Sequence, residues 1–398
     1  MQKSQGRAWP HSVSTALLLM APFDFLASLA MDVYLPVIPQ MPNALDTSAF
    51  VVQLTLSAYL LILGLGQLVF GPLSDRIGRR PVVLGGSVIY ALSSFGLAAA
   101  DDGGVFLALR LLQAIGASAA LVATFATVRD VFSGRPESAT VYGLLSSMLA
   151  IVPAAGPVIG ALLSDTFGWR SIFVLLGTLA AAASIHAFLN WRETAPRVDS
   201  TSRSSIRSIF SSGPFWVYTL GFSSAMGAFF VFFSISPRVL MDVAGYSQMA
   251  FSVAFATVAV VMMVAARSSR KWVVAWGTRR CFATGTVLMA LGAMILALCT
   301  IQGKPGFVAF IMPMWIIAAG IVLVVSVTAN GALAAFDDKA GTAVALYYAI
   351  QGVVVSGLGT LATVVFGGGT PWALVGFCGV MCGVNVAGIC WLTRRSRT

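Results

Sequence analysis

Three charged residues lie inside long apolar runs: Asp24, Asp32 and Arg110. A charge within a bilayer is costly, so each is by default a functional hypothesis. At a helical rise of about 1.5 Å per residue, Asp32 lies roughly 9 Å below the outer end of the first run. Arg110 enters the fourth run, which travels the opposite way, at about the same depth. Asp24 sits eight residues before Asp32, roughly 12 Å deeper and near the midplane. Eight residues is just over two turns, so the two acids face broadly one way. Asp32 and Arg110 are therefore expected to neutralise each other, leaving Asp24 without a base at its own level. An unpaired carboxyl group out of water holds a proton in preference to a charge. That makes Asp24 the candidate for proton coupling, and a site shared with cargo would couple the two by competition. The alternative is a structural ion cluster tying the first and fourth runs together. Gln113, one turn from Arg110, adds a hydrogen-bonding group, and Tyr34 and Tyr59 are the aromatic residues placed to line a cavity nearby.

Two further constellations suggest motion. The fifth run contains Pro153-Ala154-Ala155-Gly156-Pro157-Val158-Ile159-Gly160. Two prolines four residues apart break consecutive helix hydrogen bonds and bend the helix. Gly156 and Gly160 share a face and permit close approach of a neighbour. A bent, tightly packed helix can seal against leak while two halves rock. The loop Gly71-Pro72-Leu73-Ser74-Asp75-Arg76-Ile77-Gly78-Arg79-Arg80-Pro81 is basic and carries one acid. Asp75 together with Arg129 and Asp130 is expected to form a latch between spans that holds one access state and breaks in the other.

The elements that must carry these residues are membrane helices. Of the 398 residues 58% are hydrophobic and 10% charged, too few charges for a water-facing surface. Apolar runs fall near residues 14–38, 50–73, 81–99, 105–128, 140–163, 170–190, 215–237, 249–267, 280–300, 307–329, 341–365 and 371–392. Each is long enough to cross about 30 Å of hydrocarbon as a helix, and too continuous for barrel strands. The predicted fold is an all-α membrane protein of twelve transmembrane helices in two pseudo-symmetric six-helix bundles. The N-terminal bundle is placed at 1–191, a cytoplasmic linker at 192–214 and the C-terminal bundle at 215–398. The linker is Ser-rich, and its Arg203–Phe210 part is expected to form a short surface helix. The loop at Arg270-Lys271-Trp272 through Gly277-Thr278-Arg279-Arg280 is a degenerate second copy of the loop after the second span.

All but four of the 24 Lys and Arg residues, the exceptions being Arg110, Arg170, Arg238 and Lys304, fall on one side if both termini are cytoplasmic. That obeys the positive-inside rule, so the net charge of +10 is a topology signal and not a nucleic-acid footprint. Lys3 and Arg7 ahead of Ser28-Leu29-Ala30 imitate a signal peptide, but Asp24 interrupts the apolar region and apolar sequence continues beyond, so no cleavage is expected. The five cysteines lack framework spacing and read as small apolar fillers. An intramembrane enzyme needs clustered His, Cys or carboxylate residues. His11 and His186 lie apart, and no nucleotide-binding glycine loop is present. The chain reads as a transporter, neither an enzyme nor a sensor.

At these residues the sequence resembles the major facilitator superfamily, in its twelve-helix drug:proton antiporter group. The loop Gly71–Arg80 resembles the signature loop; Arg110, Gln113 and Gly116 resemble the fourth-helix motif; Gly156-Pro157 with Gly160 resembles the antiporter motif. Pro22-Phe23-Asp24, Asp32-Val33-Tyr34-Leu35-Pro36, Phe125–Asp130, Phe229–Phe233 and Ser326–Leu333 further resemble the chloramphenicol/florfenicol exporters. The degraded second-half loop is the main departure. The resemblance implies a monomer in the bacterial inner membrane that exports phenicol drugs against protons, without a cofactor. Asp24 and Arg110 would then be linked to substrate and proton, and the Asp75 loop would control access. A broader multidrug or sugar exporter is the other reading the resemblance leaves open.

Overall fold

The computed structural model describes residues 13–132, 137–194, 206–336 and 340–395, and over these the chain is almost entirely helical. The first residues of the expected surface helix lie outside them, as does His11. What remains of that surface helix is Ile206–Phe210.

The described residues fall into two compact units, within Met1–Ser202 and Arg203–Thr398. The first holds α1 (Val13–Asp32), α2 (Ala49–Ile77), α3 (Arg79–Ala99), α4 (Gly103–Phe132), α5 (Ser138–Phe167) and α6 (Arg170–Asn190). The second opens with α7 (Gly213–Pro237). The helical stretch Gln248–Gln302 is broken at Gly277 (φ 74°, ψ 168°) into α8 (248–276) and α9 (278–302). Then come α10 (Met312–Leu333), α11 (Ala340–Phe366) and α12 (Trp372–Arg395). These are the twelve helices of the predicted fold.

Among the long apolar helices whose residues are fully described, the first of each unit is the most enclosed. The apolar window of α1 is 67% buried and that of α7 83%, against 39–56% for the other long apolar helices measured. The remaining faces carry large exposed apolar side chains such as Leu92, Leu189 and Val365, as lipid-facing surfaces do. Where helices must touch without a hydrophobic driving force, small residues bring backbones together. A Cβ on Gly116 of α4 would lie 2.5 Å from the Gly86 carbonyl of α3. In the second unit a Cβ on Gly320 of α10 would lie 2.6 Å from the Gly285 carbonyl of α9. Third and fourth helices of both units therefore dock through one facing glycine pair, an internal repeat more legible in structure than in sequence.

The first span does not run as an α-helix to residue 38. It ends at Asp32 and continues as 3₁₀ turns over Leu35–Gln40. Pro36 has no N–H to offer the Asp32 carbonyl, and Pro39 denies the carbonyl of Leu35, so the α-helical ladder stops there.

Candidate functional site

The site is built on the inner face of α1. Asp24, Asp32 and Arg110 are all buried, at 3%, 6% and 1% exposure. Arg110 reaches from α4 to α1, where its Nη1 donates to the Ala30 carbonyl at 3.2 Å and to Gln113 Oε1 at 2.6 Å. Gln113 Nε2 in turn donates to Ser94 Oγ at 2.8 Å, which anchors the amide on α3. The guanidinium carbon lies 4.7 Å from the Tyr59 ring centroid and 5.2 Å from that of Tyr34. Both rings are fully buried, and Tyr59 is fixed by its hydroxyl donating to the Ala27 carbonyl at 2.9 Å. Facing two aromatic π-clouds stabilises a desolvated cation without neutralising it.

The expected Asp32–Arg110 ion pair is not formed. Among the described residues no base pairs with Asp32 or Asp24, and Asp32 Oδ1 and Arg110 Nη2 find no hydrogen-bond partner. Equal depth fixes height but not direction. Arg110 meets the face of α1 that carries Ala30, with Tyr34 just past the helix end, and Asp32 lies two residues, about 200°, round the helix from Ala30.

Asp32 instead faces α5. A Cβ on Gly156 would come 2.6 Å from the Asp32 Cβ, and one on Gly160 would collide with the Val33 carbonyl. The two glycines thus seat α5 directly on the end of α1, where it turns into the 3₁₀ segment. Pro153 and Pro157 both lie inside α5.

At the other end of this unit the latch forms with a different centre. Arg79 is buried at 1% exposure and joins Asp75, which is half-exposed, to Asp130 on α4 through Nε at 2.9 Å. Its Nη1 also donates to Ser74 Oγ at 2.7 Å. Asp75 and Asp130 were expected to take part; the arginine that unites them is Arg79, while Arg129 reaches Asp130 only at 3.6 Å from an exposed position. Arg76 is exposed in the last turn of α2. Gly71 has open space around its Cβ position, and Gly78 (φ 103°, ψ 157°) makes the turn between α2 and α3 in a conformation L-residues avoid.

Glu193 escaped the sequence reading. Its carboxylate accepts from the backbone N–H of Arg79 at 2.8 Å and of Arg80 at 3.1 Å, capping α3 from beyond the end of α6. Arg80 completes the contact by donating to the Phe188 carbonyl at 2.7 Å. The available signal was a lone acid just past a span, opposite a helix start with no capping residue of its own.

In the second unit aromatic side chains of α7 pack against those of neighbouring helices. Phe232 stacks on Phe255 at 5.3 Å and meets Phe310 at 5.5 Å. Tyr218 lies against Phe282 at 5.5 Å. All five cysteines are unbridged.

Comparisons with known proteins bear on the fold and the family. The family model described as the Major Facilitator Superfamily matches residues 21–360. A chloramphenicol resistance protein of Pseudomonas aeruginosa is 47% identical over 94% of this chain and 90% of its own length. A multidrug resistance protein MdtL of Vibrio parahaemolyticus is 27% identical over 84% of this chain and 83% of that protein. The crystal structure of a D-xylose–proton symporter superposes with a TM-score of 0.77 at 14% identity, covering 93% of this chain and 97% of its own, which shows a shared fold and no more. The chain belongs to the major facilitator superfamily of membrane transporters.

Proposed function

We propose that this transporter exports phenicol antibiotics, chloramphenicol and florfenicol, across the bacterial inner membrane in exchange for protons, and so confers resistance. The observation that carries the reading is Asp24: a carboxylate buried in the most enclosed helix of its unit, with no base paired to it among the described residues. Such a group can take a proton at modest cost and give it up when water or cargo reaches it. Arg110, held between two rings and unneutralised by a carboxylate, supplies a fixed positive field on the same helix bundle. Asp32, Gln113, Tyr34 and Tyr59 complete the proton- and substrate-linked set. The Arg79 latch gates access, and α5 seals against α1 while access alternates. The gradient drives the cycle without a cofactor, and the monomer with both termini cytoplasmic is the working unit.

The drug class rests on the Pseudomonas relative, named for chloramphenicol resistance and similar along nearly its whole length. The multidrug relatives favour a second reading, a broader range of cargo through the same machinery. Drug uptake into inverted vesicles with and without an imposed pH gradient tests the coupling. Accumulation should require the gradient and vanish in a normally expressed Asp24→Asn variant. Accumulation indifferent to the gradient would reject antiport. A panel of unrelated drugs separates the two cargo readings.

A further inference from the structure

The loop between α8 and α9 repeats the turn of the loop between α2 and α3 but not its chemistry. Gly277 (φ 74°, ψ 168°) adopts nearly the backbone of Gly78 (φ 103°, ψ 157°), and each is followed within three residues by two arginines. In the first loop Asp75, Asp130 and Glu193 answer those arginines and their amides. In the second, the whole stretch Gln248–Gln302 contains no acid. The one described acid of the second unit is Asp242, at the opposite end of its helices; Asp337 and Asp338 lie outside the described residues. Arg267, Arg270, Lys271 and Arg280 are exposed and make no ion pair among the described residues. Arg279 donates to the Leu392 carbonyl at 3.3 Å, which brings the exposed Arg394 of α12 into the same neighbourhood.

This cationic segment also carries an apolar anchor. Helix α8 runs about 29 residues, or roughly 43 Å, well beyond the ~30 Å of hydrocarbon it must cross. Its last two turns therefore stand at the headgroup level. There Trp272 and Trp276 stack in parallel, with centroids 6.2 Å apart and planes at 8°, and Trp276 and Val274 are exposed. Tryptophan is the residue suited to that depth, with an apolar ring in the acyl boundary and an N–H toward the headgroups. Guanidinium groups meet phosphate through paired, charge-assisted hydrogen bonds.

We propose that the α8–α9 loop is a binding site for the headgroup of an anionic phospholipid in the adjacent leaflet. Arg270, Lys271 and Arg280 are the ligands of its phosphate, and the Trp272–Trp276 pair lies against the glycerol and upper acyl chain.

The test uses the full-length protein in phosphatidylcholine vesicles titrated with brominated phosphatidylglycerol or brominated phosphatidylcholine. The signal is the quenched part of the tryptophan emission that disappears in Trp276→Phe. Phosphatidylglycerol should quench at much lower mole fraction than phosphatidylcholine. Arg270→Gln/Lys271→Gln should weaken its apparent affinity about 25-fold, at roughly fivefold per charge. Arg270→Lys, which keeps the charge, should retain the preference and guards against misfolding of the double variant. Equal quenching by both lipids, or an unchanged preference in the double variant, overturns the proposal. Full displacement by millimolar inorganic phosphate also overturns it, because the site would then bind a free anion and not a lipid.

Discussion

At the scale of single residues, Asp24 and Arg110 are both buried, but among the described residues only Arg110 is held by a set of specific partners. Arg110 spends its hydrogen bonds on Ala30 and Gln113 and its faces on Tyr34 and Tyr59. A lysine in that place keeps the charge but not the planar fork, so it cannot satisfy Ala30 and Gln113 while lying between the rings. Arg110→Lys should therefore lower export by about tenfold, the worth of one charge-assisted hydrogen bond, at unchanged protein abundance. Drug accumulation in intact cells, normalised to immunoblot signal, measures it. The presence of three intramembrane charges was legible in the sequence because each interrupts an apolar run. Their pairing was not, because spacing along a helix gives depth reliably, and which neighbour a side chain meets depends on how helices are rotated against one another. Asp32 turned out to face a glycine of α5, and Arg110 met the opposite side of α1.

Elements were read more securely than contacts. Span lengths follow from hydrocarbon thickness, and the twelve helices appear close to their expected positions. The exceptions have local causes. Pro36 ends α1 early, and α8 extends past its first charges because a helix need not stop where the bilayer does. At this scale the seat of α5 on α1 is open to test. Gly160→Val places branched carbons against the Val33 carbonyl and should cost about 1–3 kcal/mol through forced separation of the helices. A lowered melting temperature of the purified protein, together with lost export, is the expected result, whereas Leu162→Val on an exposed face of α5 should leave both intact. The cap on α3 invites a second test. Glu193→Ala removes the carboxylate that accepts from the first amides of that helix and should cost about 0.5–2 kcal/mol, a value typical of lost caps. Thermal unfolding reads it directly.

For the molecule as a whole, the charge asymmetry is the governing quantity. The proposed orientation, with both termini in the cytoplasm, rests on the positive-inside rule applied to the Lys and Arg residues of the loops. A fluorescent protein fused after residue 398 should therefore glow, and alkaline phosphatase in the same position should stay inactive. The reverse pattern is expected for a phosphatase inserted at Asp101–Asp102. The twofold plan was only faintly legible in the degenerate loop. It becomes plain in the glycine pairs Gly86–Gly116 and Gly285–Gly320, which hold the same helices together in both units. Sequence similarity between the copies has faded because lipid-facing residues need only be apolar, while the point where two backbones touch admits only glycine.

Glu193 has one more implication, for the order in which this protein is made. The residue that clasps the start of the third helix emerges from the ribosome only after the sixth has been synthesised. Until then the buried Arg79 cluster sits at an open seam, and its final geometry waits on a residue more than a hundred positions later in the chain. A nascent chain stalled before residue 193 should be cut readily by protease near Arg79 and Arg80, and one stalled well past it should resist.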